Sequence, residues 1–147
     1  MRKIAVTVVC LSAFATAVAA KEKWPSIGTF AMPDGGTATV FVDAGNGMTR
    51  HGDYWTARQK TLFSAPQKSA SGASFRSELD VYAYDCQGNR TALVSYTRYE
   101  GENLAGTVVD KLERTSPSDY EWVSPTTGGV LEAAKKIVCG LAAMRSR

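Results

Sequence analysis

The residues in this chain best suited to chemistry are three cysteines and a single histidine. Cys10 lies near the start, whereas Cys86 and Cys139 are separated by a long intervening stretch. Their meaning depends on the compartment, and the first twenty positions speak to that. Arg2 and Lys3 form a basic start, Ile4 to Val18 an apolar run of small and branched residues, and Val18-Ala19-Ala20 a small-residue exit before Lys21. This is the pattern of a secretory signal peptide covering residues 1–20. The apolar run is shorter than the roughly 20 residues a spanning helix needs. Cys10 follows Thr7-Val8-Val9, which lacks the Leu and small residues of a lipid-attachment site. It is therefore expected to leave with the peptide. The product is expected to be exported, with the periplasm favoured over surface display or secretion, and to have no membrane span after cleavage.

Cys86 and Cys139 then remain, in an oxidising compartment that lets them pair. The closed loop of about 50 residues would stabilise the fold by about 4 kcal/mol through chain entropy. Zinc is the rival reading, but structural zinc takes four closely spaced nitrogen or sulfur ligands. Two cysteines and His51 do not supply them, so neither a metal nor another cofactor is expected.

A Ser-His-Asp site or a general base would have to use His51. It sits in Thr49-Arg50-His51-Gly52-Asp53, which reads as a polar, solvated turn. Gly35-Gly36 and Gly45-Asn46-Gly47 lack the Lys-Ser/Thr of a phosphate loop and the strand-to-helix setting of a dinucleotide fingerprint, so they read as turns. Glu78, Asp80 and Asp85 share a neighbourhood, yet carboxylates without a cleft carry no glycosidase signal. No catalytic residue is expected, and the chain reads as a non-enzyme. The formal charge is +3, of which Arg2 and Lys3 supply two units, so the remaining charge does not argue for nucleic acid.

Tyrosine and arginine, favoured where proteins meet, offer more. Tyr82 and Tyr84 share one strand face, Tyr96 and Arg98 another, and Tyr54, Arg58 and Lys60 a third. Tyr54, Arg58, Tyr82, Tyr84, Tyr96 and Arg98 form the candidate binding surface. The competing reading places the tyrosines beneath a helix, since Cys86 has the parity of Tyr82 and Tyr84.

The elements that must position these residues are mostly strands. From Phe75 to Cys86 the chain alternates, with Phe75, Ser77, Leu79, Val81 and Ala83 as the expected core face. Gln87-Gly88-Asn89 is a tight connection to a second strand, Arg90 to Tyr99. Thr37 to Val42, Tyr54 to Phe63, Thr107 to Leu112 and a short Asp119 to Val123 are further strand candidates. Asp43 to Asp53, Ser64 to Ser74 and Gly101 to Gly106 read as turns and loops. Only the end is helical, with Val130, Leu131, Ala134, Ile137, Val138 and Leu141 as its apolar stripe and Cys139 on the flank. Gly140 is placed as its cap, before a frayed basic tail. Residues 21–147 suit one domain. The expected fold is α+β and mainly β: an antiparallel sheet of about five to six strands with one C-terminal helix tethered by the disulfide.

Four stretches resemble the surface-adhesin protein E family. They are Val40-Phe41-Val42-Asp43 with Thr49-Arg50, then Tyr54-Trp55, then Phe75-Arg76-Ser77 through Tyr84-Asp85-Cys86, and Trp122-Val123-x-Pro125 through Val138-Cys139. The resemblance implies the same sheet, helix and disulfide, and a binding role, since the family's named member attaches to vitronectin, laminin and plasminogen. After Pro125 this chain has Thr-Thr-Gly-Gly where the family usually has Gly-Ser, and no ligand-binding residue transfers. The resemblance implies a binding module of the bacterial cell envelope whose partner is a protein, either a host matrix protein or an envelope component. A small exported β-domain with one disulfide also suits a periplasmic inhibitor of a lysozyme-like hydrolase, which a muramidase assay would separate.

Overall fold

The computed structural model describes residues 24–43 and 45–147, so the expected signal peptide and Cys10 lie outside the described residues. Seven strands precede one helix: β1 (Ser26–Ala31), β2 (Thr37–Val42), β3 (Thr49–His51), β4 (Tyr54–Lys68), β5 (Ser74–Asp85), β6 (Arg90–Tyr99), β7 (Val108–Glu113) and α1 (Val130–Arg145). They form one antiparallel sheet in the order β1-β2-β4-β5-β6-β7, with β3 also against β4. β2 pairs with Gln59 to Phe63 and β3 with Tyr54 to Thr56, so both run in line along β4. The turn-rich segment between them loops out, and Met48 returns into the core. Cys86 and Cys139 are bonded, with their Cα atoms 5.6 Å apart.

Alternation decides which side of the sheet is dry. On β4 the buried residues Ala57, Gln59 and Thr61 alternate with the partly exposed Thr56, Arg58 and Lys60. The dry side takes the helix: Val42, Met48, Ala57 and Tyr84 pack with Ala134, Val138 and Ala142. Tyr84 and Val138 are both fully buried. The face of β5 beneath α1 is thus the tyrosine face; of the expected core face Phe75, Ser77 and Ala83 are buried, whereas the expected core role of Leu79 and Val81 is corrected. Those two stay partly exposed. The reason lies at the end of the strand, where Cys86 ties the helix to the side on which Tyr84 points.

Other expectations shift for local reasons. β4 runs on to Lys68 through residues read as loop, because its register with β5 jumps between Leu62 and Gln67 and Pro66 sits in that irregularity. A proline without an N–H to donate is tolerated there. Asp119 to Val123 is no strand: Pro117–Asp119 form a 3-10 turn started by Ser116. Only Val123 joins the sheet, exchanging two 2.8 Å bonds with Thr91. Gly140 does not end α1, which continues to Arg145. Glycine inside a helix costs about 1 kcal/mol relative to alanine, but the buried Ala142 and the Arg145 bond to the Gly45 carbonyl (2.6 Å) hold the last turns.

Candidate functional site

The helix covers one side of the sheet and leaves the other open. Even-numbered β4 residues point to that outer face, so Tyr54, Thr56, Arg58 and Lys60 lie in a row. Tyr54 is the hub of an aromatic cluster. His51 stacks on it at 5.2 Å between ring centroids and 14° between planes. Trp122 and Tyr120 meet it edge-on at 5.6 and 6.1 Å. The Arg90 guanidinium lies 4.8 Å over the Trp122 ring, a cation–π contact that also keeps a charge at the surface. Asp85 orients Arg90 through a 2.8 Å ion pair and accepts a 2.7 Å bond from the Gly88 amide. That amide, and then Arg90, hold the Asp85 carboxyl below the usual aspartate range. Partial burial, and next the neighbouring Tyr54, raise the Tyr120 phenol.

Sequence reasoning found Tyr54 in this cluster and missed Tyr120, Trp122 and Arg90. The segment carrying Tyr120 and Trp122 reaches the cluster only because Val123 pairs with Thr91 on β6. The available signal was the pair of ring residues around Glu121, at two-residue spacing.

A second group continues along the same face. Arg58 and Lys60 lie 5.3 and 5.5 Å from the Trp24 ring, and Lys60 is 5.2 Å from Phe41. Arg58 is also paired with Asp43, and Lys60 donates to the Asn103 Oδ1 at 3.2 Å.

The remaining candidates lie on the helix side. Tyr84 is fully buried, its hydroxyl oxygen accepting from the Gln59 Nε2 amide beneath α1, and is a core residue. Tyr82 packs beside it at 6.4 Å; burial pushes both phenols up. β6 carries one extra residue near Val94, so the register breaks between Val81 and Tyr82 and turns Tyr96 and Arg98 toward the partners Asp80 and Glu78. Arg98 pairs with Glu78 at 2.5 Å and Asp110 at 3.0 Å, and lies over Tyr96 and Phe75. Asp80 is only 5% exposed. Burial, and then the Glu78 carboxylate, push its carboxyl up to about 9 against the pull of Arg98. The six predicted residues therefore divide between two faces, with Tyr54 and Arg58 alone on the open one.

His51 sits in β3 rather than in a turn, is exposed, and shares a 3.1 Å hydrogen bond with the Thr56 hydroxyl. Among the described residues, no group of three or more His, Cys, Asp or Glu side chains is arranged to hold a metal. Among them, too, no helix is long and apolar enough to cross a membrane.

The family model described as surface-adhesin protein E matches residues 24–140. The chain belongs to the surface-adhesin protein E family. Its fold is similar to that of Haemophilus influenzae protein E, at 12% identity and a TM-score of 0.51, covering 69% of this chain and 76% of that one. A second crystal form of the same protein aligns at 12% identity with a TM-score of 0.52, covering 69% and 80%. At that identity the likeness is one of fold. A comparison with curated proteins finds no match. None of these findings points to a hydrolase inhibitor.

Proposed function

We propose that this chain is an exported, non-enzymatic protein-binding module of the bacterial cell envelope. Residues 1–20 act as its signal peptide, residues 21–147 form its single domain, and its place is the periplasm. The partner is a protein, a host matrix protein or an envelope component, held on the outer face of the sheet. One observation carries the reading: Tyr54, Tyr120 and Trp122 stand with Arg90 on the face that the helix leaves open. Large rigid rings beside a guanidinium are the composition of interface hot spots, where a few residues carry most of the affinity. Membership of an adhesin family supports it.

The test uses the mature chain, immobilised and exposed to purified matrix proteins and to solubilised envelope proteins. Binding to at least one defined protein should weaken by roughly tenfold or more in Trp122→Ala, as hot-spot truncations do, with circular dichroism unchanged. Equal retention by the native chain and Trp122→Ala across both sets would refute the outer face as the site.

A further inference from the structure

The disulfide is not sealed inside the fold. A hollow of about 250 Å³ opens beside it, walled by Arg50, Trp55, Ala143 and Ser146 together with Cys86 and Cys139 themselves. Both cysteines are partly exposed. The opening is written into the helix, because the residues around Cys139 are small. Gly140 is exposed and a side chain built on it would meet nothing within 4 Å, and Ala143 is exposed one turn on.

What the bond holds is lightly held otherwise. The deepest positions of α1 are Ala134, Val138 and Ala142, two of them alanines. Its N-cap is Gly129, which has no side chain to cap with; the Gly128 amide is instead bonded by Glu132 at 2.5 Å. Beside Val138, the larger apolar residues Ile137 and Leu141 of the helix pack against this core only partly buried, and burial energy scales with the apolar area removed from water.

We propose that this hollow is a thiol-exchange site, through which a dithiol protein reduces Cys86–Cys139 in the folded state and unlocks α1. A thiolate of the partner attacks one cysteine sulfur; a mixed disulfide forms as the Cys86–Cys139 bond breaks, and the departing thiolate takes a proton from water. The second thiol of the partner then attacks the mixed disulfide. This chain is left with two thiols and the partner with a disulfide, two electrons having passed to this chain. Arg50 and Asp53 both stand on the wall, and it is the Arg50 cation that favours the departing thiolate, as nearby basic groups do. The inference stands apart from the binding function and does not depend on it.

The experiment follows reduction of the mature oxidised chain under native conditions, by dithiothreitol and by a protein with a Cys-x-x-Cys dithiol, counting thiols by alkylation and mass. Reduction by either should be insensitive to low denaturant, since it does not wait for unfolding. In Ala143→Leu, which narrows the hollow from an exposed helix position, it should slow by roughly tenfold, reflecting lost access of the attacking thiolate. Arg50→Gln should slow it by a smaller factor. Trypsin should then cut at Lys135 or Lys136 only in the reduced chain. Should Ala143→Leu fold poorly, the denaturant dependence still decides. A rate that climbs with denaturant and matches the unfolding rate would overturn the exchange site. Reduction that left α1 resistant to trypsin would overturn the unlocking.

Discussion

Asp80 shows how a single side chain can set the pH response of a fold. Three carboxyl groups, from Glu78, Asp80 and Asp110, gather near the one guanidinium of Arg98. One cation cannot balance three crowded carboxylates, and the carboxyl of Asp80, the one of the three that is buried, is raised from 3.8 to about 9 and keeps its proton. Between those two values the unfolded chain has released a proton that the folded chain still holds, so stability falls as pH rises through that window. Asp80→Asn removes the dependence. It should flatten the fall of Tm between pH 5 and 9 and gain roughly 1–3 kcal/mol at pH 8, while changing little at pH 4. A variant whose Tm kept the native slope would show that another group is responsible. Asp85 acts in the opposite sense. Its carboxyl is held below the usual range by the Gly88 amide and Arg90, so its contribution is present above that range and is lost on acidification.

Among the elements, the β6–β7 hairpin is built against its own residues. Asn103 and Leu104 have φ of 54° and 63°, and Ala105 donates to the Glu102 carbonyl at 3.1 Å. Two successive positive φ values make a type I′ turn, whose second central position suits glycine. A bulky side chain there costs about 1–2 kcal/mol. The strained conformation is held from outside, because Ser77 donates to the Gly101 carbonyl at 2.6 Å and accepts from the Leu104 amide at 2.9 Å. Both backbone bonds survive in Leu104→Gly. That change should raise stability by about 0.5–1 kcal/mol by equilibrium denaturation, the relief of strain exceeding the partial burial lost. A loss of stability would mean that the leucine side chain contributes more packing than strain. The 3-10 turn and the lone Val123 bridge matter in another way, since they deliver Tyr120 and Trp122 to the outer face without a regular element.

For the whole molecule, the disulfide and the helix act as one unit. The bond spans 53 residues, so Cys139→Ala should lower stability by about 4 kcal/mol by loop-closure entropy. Amide exchange should then show α1 opening ahead of the β4–β5 ladder, because the ladder is closed by backbone bonds and α1 by small apolar contacts. Uniform loss of protection across sheet and helix would contradict that order. The arrangement also divides labour between faces. The helix takes the inner side and buries Tyr84, and the outer side is left to rings and guanidinium groups.

How much of this was legible varied with the range of the interaction concerned. The β2 and β6 boundaries, the helical period of α1 and the pairing of Cys86 with Cys139 rest on local periodicity and on counting cysteines, and all three follow from the chain read in order. β1 and β3 did not emerge, because six residues with a glycine and three exposed residues carry no alternation strong enough to read. The face of β5 that the helix covers is a long-range choice. Both sides of that strand offer apolar or aromatic residues, and only the direction of Cys86 toward Cys139 separates them. The same holds for the candidate site. Tyr54 announces itself by type and parity, whereas Arg90 joins it through its pairing with Asp85 at the end of the β5–β6 hairpin and Trp122 through a single bridge from Val123 to Thr91. Sequence alone determined the strongly patterned elements, β2, β6 and α1 among them, and the covalent tie of Cys86 to Cys139, since these depend on neighbours and residue type. Only the tertiary structure decided which face is dry and which is open, because that depends on where a helix lands on a sheet.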